Sequence, residues 1–189
     1  MEAIHSYSEK ASLIIKECEL VLKSIDPQSV EQLLDEIEKA DKVFVVGVGR
    51  VLLSLQAIAK RLNHLDIKTY CVGQIDEPPI SEKDLLLVGS SSGETIIPVS
   101  IASNAHELCA RIGYMGASPD STVRKIADFY VQIPTRRSND SSAVIISQQP
   151  MTTLFEQVLL LFGDAITLML MERKGLKEKD VLLKHANLE

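Results

Sequence analysis

Val43-Phe-Val-Val46 runs straight into Gly47-Val-Gly-Arg50, and further on Leu85-Leu-Leu-Val88 runs into Gly89-Ser-Ser-Ser-Gly-Glu-Thr95. Each apolar run is short, unbroken and bounded by small residues, which reads as a buried strand. Each is followed by a helical pattern. A strand feeding a Gly- or Ser-rich turn at a helix N-terminus gathers free backbone N–H groups and the positive end of the helix dipole at one spot, which suits an anion. The second turn adds the hydroxyls of Ser90, Ser91, Ser92 and Thr95, and small hydroxyls donate readily to phosphate oxygens. Two such turns in one sheet point to a phosphorylated small molecule. The competing reading of the second turn is a serine-rich turn with an ordinary helix cap at Ser92 or Thr95, and the turn alone leaves the two readings even.

Outward from these strands the pattern is regular. Two helices precede the first strand: one over 2–24, with Ile14, Ile15, Cys18, Val21 and Leu22 near one stripe, and one opened by Asp26-Pro27 and running to Ala40. Proline suits the first helical position because its missing N–H would be unpaired there anyway. After the first strand the spacing predicts a helix over 50–64, a strand over 68–72, a turn at Asp76-Glu-Pro-Pro-Ile80 and a strand over 84–88. A helix over 94–107 follows, with Pro98 confined to its first turn. Then come a strand over 109–115, a short helix over 121–127, a strand over 129–133 and a polar loop over 134–150. A long apolar helix over 152–174 ends at Gly175.

From residue 41 onward strands alternate with helices, which implies an α/β fold: a five-stranded parallel sheet in a three-layer αβα sandwich of flavodoxin-like type. In such sheets ligands bind at the carboxyl ends of the strands, near the point where strand order reverses. The 189 residues read as one domain. Residues 1–40 are helices packing on the core or between subunits, 41–174 the core and 175–189 a tail.

The net charge of −6 argues against nucleic acid or an anionic membrane as partner, since both need a basic face. No apolar run reaches the roughly 18 residues of a membrane span, and the polar N-terminus lacks the apolar stretch of a signal peptide. Cys18, Cys71 and Cys109 have no metal-ligand spacing and read as reduced, buried thiols of a cytoplasmic protein. No two histidines are spaced as metal ligands, so neither a metal nor another cofactor is expected.

Several residues deserve weighing as site candidates. Gly49 and Arg50 follow the first strand, but the third glycine of a dinucleotide fingerprint is missing and the chain continues Val51-Leu52-Leu53. Glu156 lies one turn into the long apolar helix, where a carboxylate is costly to bury without a partner. It is either a base facing the site or a solvent-facing residue bonded to the Thr152-Thr153 turn, and the helix pattern favours the second. His185 in the tail has meaning only if the tail packs across a site. His64, at the end of a helix, complements the dipole.

With these residues in view, the chain resembles the SIS (sugar isomerase) domain family, and within it the 6-phospho-3-hexuloisomerases. The resemblance rests on Gly47-Val-Gly-Arg50, Ser90-Ser-Ser-Gly-Glu-Thr95, Arg61-Leu-Asn-His-Leu65, Ser118-Pro-Asp-Ser121, Pro150-Met-Thr-Thr-Leu-Phe-Glu156 and His185-Ala-Asn-Leu-Glu189, and covers nearly the whole chain. It implies a cofactor-independent isomerase, commonly tetrameric, that interconverts D-arabino-3-hexulose 6-phosphate and fructose 6-phosphate through a cis-enediol. It implies that Ser90, Ser92 and Thr95 hold the phosphate and that Glu156 moves the proton between C2 and C3. His185 would assist from a neighbouring subunit. Arg50 is a cation for the developing oxyanion or the phosphate. The family's usual G-x-G-R-S-G is replaced here by Gly47-Val-Gly-Arg-Val51-Leu52, so one hydroxyl donor is lost. The alternatives are a non-catalytic sugar-phosphate-binding module, an isomerase of a different phosphosugar, and a structural oligomerisation module with a vestigial pocket, the last being the one that Val51-Leu52 supports; retention of both Glu156 and His185 weighs against a pure binding module.

Overall fold

A computed structural model of the protein describes residues 6–135 and 147–188. Most of the loop expected over 134–150, the first residues of the chain with His5, and Glu189 lie outside them. Two helices lead: α1 (Tyr7–Ser24) and α2 (Pro27–Lys39). Ser6 and Glu9 close a reciprocal capping box on α1, and Asp26 accepts the Gln28 and Ser29 N–H groups ahead of Pro27 on α2. The rest is β1 (Val43–Val46), α3 (Gly49–His64), β2 (Thr69–Cys71), β3 (Leu85–Gly89), α4 (Ile96–Glu107), β4 (Arg111–Gly116), α5 (Thr122–Ile126), β5 (Phe129–Gln132), α6 (Thr153–Arg173) and α7 (Glu178–Leu182).

The five strands pair in parallel in the order β2-β1-β3-β4-β5. Alternate residues face opposite layers, as the pleat requires. Val43, Val45, Leu85, Leu87, Met115 and Val131 face a core shared with α1, α2, α3 and α6. Phe44, Val46, Leu86, Val88, Ile112 and Tyr114 face a smaller core under α4 and α5. The αβα sandwich is therefore as expected. The alternation breaks once: β2 and β3 are joined by 72–84 without a helix, a stretch carrying Pro78 and Pro79, which resist helix propagation.

Helix α6 has the length and apolarity of a membrane span, although the sequence reading found none. Half of that stretch is buried, and its Gly163 meets α3 so closely that a Cβ there would lie 2.1 Å from Ile58 Cγ1. It is the central helix of a protein core.

Three expectations shift. Strand β4 starts at Arg111 rather than at 109, because Cys109 adopts φ +60° to close the end of α4, with Ala110 N–H reaching back to the Ala105 carbonyl at 3.0 Å. Cys109 is consequently exposed, while Cys18 and Cys71 are buried as expected. Helix α4 begins at Ile96, since Thr95 is its extended N-cap, and Pro98 falls in the first turn. The tail contains α7, opened by the Asp180 carboxylate accepting the Lys177 N–H at 2.9 Å.

Candidate active site

Strand order reverses between β1 and β3, which lie side by side with Val46 opposite Val88. The two turns that follow them leave the sheet at one level, and the crevice outside a reversal is where doubly wound sheets bind ligands.

The serine turn is tied down on every side. Ser90 is buried; its Oγ accepts the Gly93 N–H at 3.0 Å and its carbonyl accepts the Tyr114 hydroxyl at 2.9 Å. The Ser91 carbonyl accepts the Ala117 and Ser118 N–H groups. Ser92 Oγ accepts the Glu94 N–H at 3.2 Å, and the Glu94 carboxylate takes both the N–H and the hydroxyl of Thr122 at 2.7 Å each. Thr122 thus holds the Glu94 carboxyl below its ordinary range and turns it toward α5. Gly93 sits at φ +66°, and a Cβ there would lie 2.2 Å from Ser121 Oγ, so only glycine fits. Burial pushes the Tyr114 phenol up to about 12, so it stays a donor. What the turn leaves available is the exposed Ser92, the Thr95 hydroxyl, which makes no cap bond, and the first N–H groups of α4. Thr95 Oγ1 is 3.5 Å from Ser90 Oγ.

The first turn offers a second uncapped helix start, since Val48 makes no side-chain cap to α3. Gly49 takes φ +58° and no atom lies within 4 Å of where its Cβ would be, so the space above it is open. Arg50 leans from this turn to α6, where its Nε–H donates to the Glu156 carboxylate. Glu156 is buried. Its Oε1 accepts the Thr152 hydroxyl at 2.8 Å, and its backbone carbonyl accepts the Ser54 hydroxyl at 2.9 Å. The solvent-facing reading of Glu156 is therefore overturned, although the bond to the Thr152 turn is present. Thr152 makes no side-chain cap to α6.

Val51 points away from the open space. Its Cγ1 lies 3.2 Å and 3.1 Å from the positions that Cβ atoms on Gly47 and Gly89 would take. It fills the floor between the two turns with methyl groups.

The tail lies elsewhere. The His185 ring packs tilted against the buried His64 at 5.6 Å between centroids, and Lys184 pairs with Asp66 at 2.9 Å. His64 ends α3 while Arg50 begins it, a helix length of about 22 Å. His185 and Glu156 are thus not brought together within one chain. Among the described residues no cluster of His, Cys, Asp and Glu is arranged to hold a metal.

Sequence reasoning passed over Ser54 and Tyr114 and gave Thr152 no role at the site. The i, i+4 spacing of Thr152 to Glu156 and of Arg50 to Ser54 is a legible signal for placing each pair on one helix face. No local pattern marks Tyr114.

A reversal-point crevice flanked by a turn with uncapped N–H groups and hydroxyls on one side and a paired carboxylate on the other defines an α/β protein with a site suited to a small anionic ligand. Comparisons with known proteins narrow this. No protein-family model matches the chain. A Bacillus subtilis 3-hexulose-6-phosphate isomerase is 36% identical over 96% of this chain and 98% of its own. A Methanococcus jannaschii protein, whose crystal structure was reported to infer 3-hexulose-6-phosphate isomerase function, is 30% identical with a TM-score of 0.84, covering 96% of this chain and 99% of its own. The sugar isomerase domain of an RpiR transcription factor from Sphaerobacter thermophilus, at 20% identity, TM-score 0.70 and 92% coverage of both chains, shares the fold alone. The chain belongs to the 3-hexulose-6-phosphate isomerase family and has the sugar isomerase fold.

Proposed function

We propose that the protein is a cofactor-independent phosphosugar isomerase that interconverts D-arabino-3-hexulose 6-phosphate and fructose 6-phosphate. The observation that carries this reading is the pairing of Arg50 with the buried Glu156 beside the serine turn. A module that only binds sugar phosphate needs the turn but has no use for a carboxylate held at its edge.

In this reading the phosphate rests on Ser92, Thr95 and the N–H groups at the start of α4, with Ser90 and Ser91 shaping the turn and Gly49 leaving room for the sugar. Glu156 removes the proton from C2 of the 3-ketose. The electron pair forms the C2–C3 double bond of a cis-enediol as the C3 carbonyl oxygen gains charge. The proton returns to C3, and the hydroxyl proton of O2 passes to O3 as the C2 carbonyl forms, so that C3 ends as a hydroxyl-bearing carbon. The exchange is internal, so no external oxidant or reductant enters. Arg50 moves from the carboxylate to the developing oxyanion, a stabilisation worth about 10²–10³-fold in other enzymes. His185 assists at the site of a neighbouring copy in a homotetramer. An apolar groove of about 630 Å³ between α1 and α6, lined by Ile14, Ile15, Leu22, Leu160 and Leu161, supports burial of that face by another copy. A cytoplasmic setting fits the absence of disulfides among the described residues.

The test is formation of fructose 6-phosphate from enzymatically generated 3-hexulose 6-phosphate by the purified protein. Turnover supports the reading. Saturable phosphosugar binding without turnover would replace it with the binding module.

A further inference from the structure

Thr135, three residues beyond the last residue of β5 with Ile133 and Pro134 between them, is buried to 6% exposure, and its hydroxyl has no hydrogen-bond partner among the described residues. A buried hydroxyl in that state costs free energy and calls for an explanation. Its position supplies one. Thr135 lines a crevice of about 20 Å³ together with Ser91, Ser147, Thr152, Leu154 and Phe155. Four hydroxyl-bearing residues thus line it beside the apolar Leu154 and Phe155. A space of that size admits one water or one hydroxyl group and nothing larger.

The neighbours of the crevice decide which occupant it suits. Ser91 belongs to the turn that holds phosphate in the proposed function. Thr152 donates its hydroxyl to Glu156 Oε1 at 2.8 Å. Ser147 is fixed from behind, since its hydroxyl donates to Glu17 on α1 at 2.7 Å, and the same Glu17 carboxylate accepts the Gln148 N–H at 2.9 Å and the Gln149 amide at 2.9 Å. The Thr135 hydroxyl, by contrast, is uncommitted. A group entering the crevice therefore sits between the phosphate-holding turn and the proton-moving carboxylate, where a sugar chain bound across both would place a hydroxyl.

We propose that this crevice is a subsite for one hydroxyl of the phosphosugar, with Thr135 as its specificity-determining partner. The inference rests on the phosphosugar reading and adds a residue to it. The Thr135 hydroxyl completes a hydrogen bond only when the sugar is bound, so it discriminates sugar phosphates by the hydroxyl they present rather than by their phosphate. Such a site rejects an analogue lacking that hydroxyl, because the protein's own group is then left unpaired.

The experiment compares wild type, Thr135→Val and Thr135→Ser in calorimetric binding of fructose 6-phosphate and, separately, of inorganic phosphate, with thermal melting of each variant. Thr135→Val keeps the shape and removes the hydroxyl. It is expected to weaken fructose 6-phosphate binding about tenfold, the effect of one hydrogen bond, to leave phosphate binding within about twofold, and to melt no lower than wild type, because no bond in the unliganded protein is lost. Thr135→Ser is expected to restore sugar binding. Unchanged fructose 6-phosphate binding in Thr135→Val, with sugar binding intact in wild type, would overturn the subsite and leave the crevice to a structural water. Equal weakening of sugar and phosphate would also overturn it, since Thr135 would then act by holding the turn. Absence of fructose 6-phosphate binding by wild type would instead overturn the phosphosugar reading itself, and the subsite with it.

Discussion

The Arg50 guanidinium donates its Nε–H to the Glu156 carboxylate across 106 positions of sequence, joining the start of α3 to the first turn of α6. The pair is asymmetric: the Arg50 side chain is 62% exposed and that of Glu156 only 11%. The cation can swing to a ligand while the carboxylate, held by Thr152 and by the bond from Ser54 to its own carbonyl, stays in place.

Replacing Arg50 with Ala is expected to lower kcat about 10²-fold, as loss of one preorganised oxyanion partner does elsewhere, while inhibition by inorganic phosphate changes little. Steady-state kinetics with phosphate as competitor checks this. A large rise in the phosphate inhibition constant with kcat retained would place Arg50 at the phosphate end instead.

In the proposed function Thr152 positions the base, Glu156, through its hydroxyl. In Thr152→Val the Glu156 carboxylate loses the donor at 2.8 Å, and kcat is expected to fall about tenfold with KM nearly unchanged. Thr152→Ser is expected to recover most of the rate. A Thr152→Ser variant as slow as Thr152→Val would assign the residue a packing role only.

Tyr114 ties the serine turn to the sheet through its bond to the Ser90 carbonyl and stacks on Tyr130 at 5.0 Å. Tyr114→Phe is expected to cost about 1 kcal/mol in urea melts and to weaken phosphate binding by loosening the turn. The folded phenol is raised to about 12 by burial, against about 10 when unfolded. Its contribution is therefore complete below pH 10 and is lost as pH climbs toward 12. Melts across that window should show a steeper alkaline loss in wild type than in Tyr114→Phe, and parallel curves would refute the assignment.

Glu17 supplies the acid counterpart. Burial pushes its carboxyl up, but the Gln148 N–H, the Gln149 amide and the Ser147 hydroxyl together outweigh burial and hold it below its ordinary value. Stability from this group is present above the unfolded value near 4.5 and disappears as pH falls through the folded one. Denaturant melts from pH 7 downward are expected to lose less stability in Glu17→Gln than in wild type. Identical slopes would show that the three donors do not stabilise the ionised form.

The fold was legible because its signals are local: the unbroken runs at 43–46 and 85–88, the small residues after them, and Asp26-Pro27 at the start of α2. The serine-rich turn after β3 was legible for the same reason. The capping box of Ser6 and Glu9, which starts α1 at Tyr7 rather than at residue 2, was not read. Glu156 was not, because an acidic residue on an apolar helix reads alike whether it faces water or Arg50, and the residue that decides lies on another helix. Thr135 was illegible for a stronger reason. Its hydroxyl is buried with no partner among the described residues, and only the packed structure shows that. Cys109 misled as a strand residue because a positive φ at a non-glycine position leaves no mark in an apolar pattern.

The most direct test of the account is turnover of 3-hexulose 6-phosphate by wild type and by Glu156→Gln, with fructose 6-phosphate binding measured on both. Turnover is expected in wild type, with a loss of at least about 10³-fold in kcat for the variant and fructose 6-phosphate affinity retained within a few-fold. Comparable turnover by Glu156→Gln would contradict the central claim that this carboxylate moves the proton.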